Sequence, residues 1–219
     1  MKQLIQPRYL AWSLPAGLVL GASCMPYIAA QSADPAVART RMAGLIPLCI
    51  LLFQIILAWR DGPGSFRFRT AAARWKNLAA LLAVAALAGL GAAVFVDPAL
   101  RRALPRFSPD SLQALLIQLP WTAGFQVLVL VAGVYAFGLR LTRRAEFATA
   151  GVVLVHQLSI WARFRSDFTF FPLAALMVFG GALAFLLAEA YRRHGFPGAV
   201  AVSLVLSLRH VFPLLTPPV

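Results

Sequence analysis

Few side chains in this 219-residue sequence can do chemistry, and most of those sit inside apolar stretches. Arg209 and His210 lie in the last stretch, 196–215 (FPGAVAVSLVLSLRHVFPLL), about thirteen residues past its start, or ~20 Å along a helix. His156 and Gln157 lie in 147–161. Gln118, Thr122 and Gln126 lie in 112–139, Gln54 in 43–59, Glu189 near the end of 168–190, and Ser203 and Ser207 in the last stretch. Ionisable groups at such depth are costly and mark pathways, cofactor ligands or catalytic groups. Three readings of His156 stay open: a neutral core histidine bonded to a neighbouring helix, a catalytic or water-holding group, and an axial ligand of haem or a chlorophyll-type pigment. His210 is the alternative ligand for such a pigment. Arg209 either snorkels to headgroups from near the end of its stretch or pairs with a buried acid or a polar substrate. Glu189, three and four residues before Arg192 and Arg193, predicts ion pairing along one helix face, and Glu146 beside Arg143 and Arg144 predicts the same.

The elements that must position these residues are transmembrane helices. Hydrophobic residues make up 61% of the chain and charged residues 12%, about half the share usual in soluble domains, so no sizeable soluble domain is left over. The expected fold is all-α: one integral membrane domain over 1–219, a polytopic helix bundle of about seven spans at 9–30, 43–59, 77–96, 112–139, 147–161, 168–190 and 196–215. The second and fifth are short, and Pro120 is expected to break the fourth, leaving Leu112–Leu119 interfacial and the span proper beginning near Trp121. The first run ends in small residues at Ala29-Ala30 but is long for a signal peptide, and it reads as a retained span.

The Lys and Arg residues orient the chain. With the N-terminus inside, twelve fall on the cytoplasmic side and seven outside, Arg209 being the twentieth, which favours N-in and C-out. Asp34, Asp97, Asp110 and Asp167 then fall in outer loops. The inner loop 60–76 carries five positive charges, and 66–76 (FRFRTAAARWK) reads as a loop touching lipid or a short amphipathic element on the inner leaflet. The net charge of +13 is expected to meet anionic headgroups at basic inner loops; with no basic domain outside the bilayer, nucleic acid is not an expected partner. Cys24 and Cys49 have no metal-ligand spacing and read as packing residues; no metal site is expected. Small residues in the third span and at 179–188 read as ordinary helix contact.

The C-terminal half resembles the CPBP family of intramembrane proteases (CAAX proteases and bacteriocin-processing enzymes). The run 151–157, GVVLVHQ, is similar to the family's FxxxH motif, with Val152 in place of Phe and His156 as the histidine. The run 179–195, FGGALAFLLAEAYRRHG, resembles its glycine-rich helix ending in a basic turn. The next helix stands where the family puts HxxxN/B, with His210 as the histidine and Leu214 where Asn is expected. The family's EExxxR motif should fall within 120–140, which holds no Glu or Asp. Gln126 is the nearest polar stand-in. In the family the glutamate activates water and the histidines hold it and stabilise the oxyanion; a glutamine amide cannot accept the proton.

The resemblance therefore implies a divergent, non-catalytic member: an accessory, assembly or scaffold subunit in a complex with other membrane proteins of a bacterial inner (cytoplasmic) membrane. The alternatives are an active, metal-independent intramembrane protease using His156 and His210, and a haem- or chlorophyll-binding subunit. A structure that gathers Gln126, His156 and His210 around a polar cavity favours a site; tight apolar packing around the histidines favours a scaffold.

Overall fold

Asp34 accepts a hydrogen bond from the Ala36 N–H at 2.7 Å and Pro35 takes the first helical position, so a helix starts eight residues before the apolar run that follows. This is α2 in the computed structural model of the chain, which describes residues 7–61, 72–103, 109–166, 170–211 and 214. It pairs with α1 (Pro7–Gln31), and the Ser13 hydroxyl donates to Gln54 Oε1 at 2.5 Å across the pair. After α2 (Pro35–Ile56) comes a widened turn, Leu57–Asp61, then α3 (Ala72–Phe95) and the short α4 (Asp97–Ala103). α5 (Leu112–Leu119) runs through two wide-wound stretches, Pro120–Phe125 and Val127–Gly133, into α6 (Val134–Thr142). α7 (Ala145–Phe164) and α8 (Phe170–Ser207) follow, and a 3-10 turn, Leu208–His210, ends the described run of helix.

Every regular element among the described residues is helical, and six helical runs are long and apolar enough to cross a membrane. Several expected boundaries move. The second span is not short: it runs Pro35–Trp59, because the Asp34 cap carries helix through the polar turn at Arg39–Arg41. The fifth lengthens to Ala145–Phe164. The last α-helix gives way after Ser207 to a 3-10 turn, Leu208–His210, so Arg209 and His210 lie in that tighter turn at the end of the run Leu173–His210; residues 212, 213 and 215 of the expected span lie outside the described residues. Residues 62–71, which hold most of the expected amphipathic element, lie outside the described residues; 72–76 form the start of α3.

Pro120 does not break the fourth span. Leu112–Thr142 is one continuous run. Proline removes an N–H and crowds the carbonyl four residues back. The helix widens instead, so that the Gln126 N–H bonds the Trp121 carbonyl five residues back.

The last two expected spans are joined within α8. A straight helix of its 38 residues would hold Leu183 and Ser207 ~36 Å apart, yet both line one cavity of about 210 Å³. The reversal is at Gly195, with φ 73° and ψ −169°, a conformation essentially confined to glycine. Pro197 then falls in the first turn of the second leg, where its missing N–H costs no bond. The core lies between α2, the wide-wound stretch and the two legs of α8. Phe53, Leu128, Tyr191 and Val202 are fully enclosed there, with Phe53 edge-on to Phe196 and Tyr135 edge-on to Tyr191. Cys24 and Cys49 are free thiols buried in the same core. Phe95, Leu87, Val19 and Val178 point outward, an apolar exterior suited to lipid.

Candidate functional site

On α5 and the wide-wound stretch, Gln118, Thr122 and Gln126 recur every four residues and face one side of the run. They border a cavity with two connecting lobes, of about 210 and 290 Å³, and His156, Arg209 and His210 border both lobes as well. Gln126, His156 and His210 thus come together around one polar space. The first lobe is floored by leucines, with Ser203 and Ser207 from the second leg of α8. The second reaches the α4 end of the bundle, here called distal, where Asp97, Ser159 and Arg163 line it.

His156 is seated by a pair of glycines. A Cβ on Gly180 would meet the Ile160 side chain and stand 3.7 Å from His156 Nε2. A Cβ on Gly181 would collide with the Gln157 amide. Bare backbone at both positions lets α8 approach α7 closely, and Gln157 Nε2 donates to the Met177 carbonyl at 2.6 Å. These glycines, read from sequence as ordinary packing, hold the helix that carries His156.

Arg209 does not snorkel away from the cavity. Its Nε lies 3.5 Å from Asp97 Oδ2 and 3.4 Å from His210 Nε2. Asp97, assigned from sequence to an outer loop, is 4% exposed at the first turn of α4. Its Oδ2 receives no hydrogen bond, only the charge of Arg209 at ion-pair distance. Burial pushes the carboxyl above the ordinary carboxylate value, opposed by Arg209 and then by Arg101. The sequence reading placed Asp97 in an outer loop and did not include it among the candidate site residues. The signal was present: Asp97-Pro98 closes the third apolar run as a helix start, with Arg101 one turn on.

Glu189 binds both expected partners: Arg192 Nε donates to Oε2 at 2.7 Å, Arg192 Nη2 to Oε1 at 2.6 Å, and Arg193 Nε to Oε1. These residues border a separate groove of about 700 Å³ between α7 and α8, at the opposite end of the bundle from Asp97. Glu146 lines that groove too.

The pigment reading fits poorly. His210 Nε2 lies 3.4 Å from the Arg209 guanidinium, which occupies one of the two ring nitrogens that a pigment's metal could take. Among the described residues no three His, Cys, Asp or Glu side chains are grouped to hold a metal ion. Chemically the space offers two imidazoles, two carboxamides, hydroxyls and guanidinium groups, with one carboxylate held by an arginine. No known protein family, curated protein or solved structure matches the chain.

Proposed function

We propose that the chain is a seven-crossing integral membrane protein, N-in and C-out in a bacterial cytoplasmic membrane, whose intramembrane cavity binds the polar head of a membrane-borne ligand without hydrolysing it. The observation that carries this reading is the convergence of Gln126, His156, Arg209 and His210 on one polar cavity. Polar groups lining a space at membrane depth are costly unless they meet a ligand or water. The bias of Lys and Arg toward the N-terminal side supports the orientation, and the reversal at Gly195 supports the seventh crossing.

The resemblance to CPBP proteases enters here as a proposal: the chain keeps the family's two histidine positions and has Gln126 where the family has its base. The cavity's carboxylate is a poor substitute, since Asp97 faces Arg209 and a general base must be free to accept a proton. Such a protein serves as an accessory or assembly subunit that presents or senses a ligand for other membrane proteins.

Gentle detergent extraction followed by mass analysis of bound lipid tests this. An amphiphile is expected to co-purify chemically intact, and His156→Ala and His210→Ala should leave its chemical form unchanged. Conversion of the bound molecule by the wild type, abolished by either substitution, would overturn the non-hydrolytic reading in favour of a histidine-dependent hydrolase. A chain that runs strictly alone and monomeric after such extraction would count against the accessory role.

A further inference from the structure

We propose that the first lobe of the cavity binds the sugar ring of a glycolipid, a neutral head edged with hydroxyls. This rests on the binding function proposed above and names the ligand's head. Among the described residues Arg209 is the one charged side chain lining that lobe, and Asp97 faces it at ion-pair distance. Arg163 borders only the distal lobe. The first lobe therefore offers a ligand hydrogen bonds rather than charge.

Those hydrogen-bonding groups call for a partner that both donates and accepts. Gln118, Gln126, His156 and Ser203 line the lobe, and their side chains make no hydrogen bond among the described residues. A carboxamide both donates and accepts, and so does a neutral imidazole. Thr122 donates its hydroxyl proton to the Gln118 carbonyl at 3.2 Å, and Ser207 donates to the Ser203 carbonyl at 2.9 Å. Toward a ligand these two oxygens can only accept. A phosphate or carboxylate brings acceptors alone, which would meet them lone pair to lone pair, and adds a charge that Asp97 already supplies to Arg209. A quinone or ester carbonyl also brings only acceptors. A hydroxyl donates and accepts without charge. A sugar ring carries several around its edge, where the head of a diacylglycerol carries a single one. The C–H faces of the ring suit Leu183 and Leu206, which line the same lobe.

The test uses the full chain, delipidated in a polyoxyethylene detergent because a maltoside would compete. The probes are monoglucosyl diacylglycerol, diacylglycerol and phosphatidic acid with the same acyl chains, and methyl glucoside. The glycolipid is expected to bind roughly tenfold more tightly than either other lipid, and far more tightly than the free glycoside. Gln118→Leu and Gln126→Leu should each cut its advantage over diacylglycerol several-fold. Leucine is close to glutamine in size, and neither carboxamide bonds another part of the fold among the described residues, so both variants should stay folded. Equal binding of the glycolipid and diacylglycerol, or an advantage kept in full by both variants, overturns the sugar assignment while the binding function stands. Tighter binding of phosphatidic acid overturns the neutral head. Methyl glucoside binding as tightly as the glycolipid overturns the lipid as the source. Binding of no lipid overturns the binding function itself.

Discussion

Arg209 Nε lies 3.5 Å from Asp97 Oδ2, tying the terminal turn after α8 to the start of α4 at the wall of the cavity. The Asp97 side chain is 6% exposed and that of Arg209 is 19% exposed. The two partners are not equivalent. Removing Arg209 strands a buried carboxylate, so Arg209→Ala should cost about 3–5 kcal/mol near neutral pH. Asp97→Asn keeps the shape of the side chain and leaves Arg209 bordering the cavity, so it should cost less, about 1–3 kcal/mol for the lost charged partner. Thermal unfolding of both variants in one detergent checks the asymmetry; equal losses would show that the pair matters only as a pair.

The same carboxyl predicts a pH dependence. Burial raises its pKa in the folded protein above the unfolded value of ~3.9. A group shifted this way binds its proton more tightly when folded. Its stabilisation is complete below the unfolded value and is lost as pH rises through the folded value. Wild-type stability should therefore fall across that window, and Asp97→Asn should flatten the fall. Unfolding midpoints measured from pH 3.5 to pH 7 compare the two slopes.

Gly195 carries the reversal in α8, and φ 73° with ψ −169° suits no residue with a Cβ. Gly195→Ala should destabilise the fold by about 1–3 kcal/mol and loosen the second leg, which bears Ser203 and Ser207 and leads into the turn with Arg209 and His210. Faster proteolysis after residue 195, with protection kept in α1 and α2, is the expected pattern.

Gly181→Ala drives a methyl group into the Gln157 amide and should cost about 1–3 kcal/mol through overpacking. Pairing it with Gln157→Ala removes the collision, so the double variant should recover part of the loss. Strictly additive losses would mean that the glycine and the glutamine act independently.

How much of this was legible in the sequence depends on the range of the interaction. Long apolar runs report directly on membrane-spanning helices, because each residue's transfer to lipid is a local property. Helix ends were less legible. The Asp34 cap and the widening after Pro120 are set by one or two backbone hydrogen bonds that hydropathy does not register. Gln126, His156 and His210 stood out because polar groups in apolar runs are conspicuous. Asp97 did not, because it follows its apolar run by one residue, and only the folded chain encloses it against Arg209, more than a hundred positions away. The glycines beside His156 were hidden for a related reason: small residues are common in membrane helices, and which side chain fills the space they leave is a tertiary fact.

The most direct measurement is ligand occupancy by native mass spectrometry in wild type against Thr122→Phe, with Leu116→Phe as control. Thr122 borders both lobes of the cavity, and Leu116 on the same run points outward. A bound amphiphile on wild type and on Leu116→Phe, displaced from Thr122→Phe while that variant stays folded, is the predicted result. Equal occupancy in all three proteins, or none in any, would contradict a ligand-binding cavity at Gln126, His156 and His210.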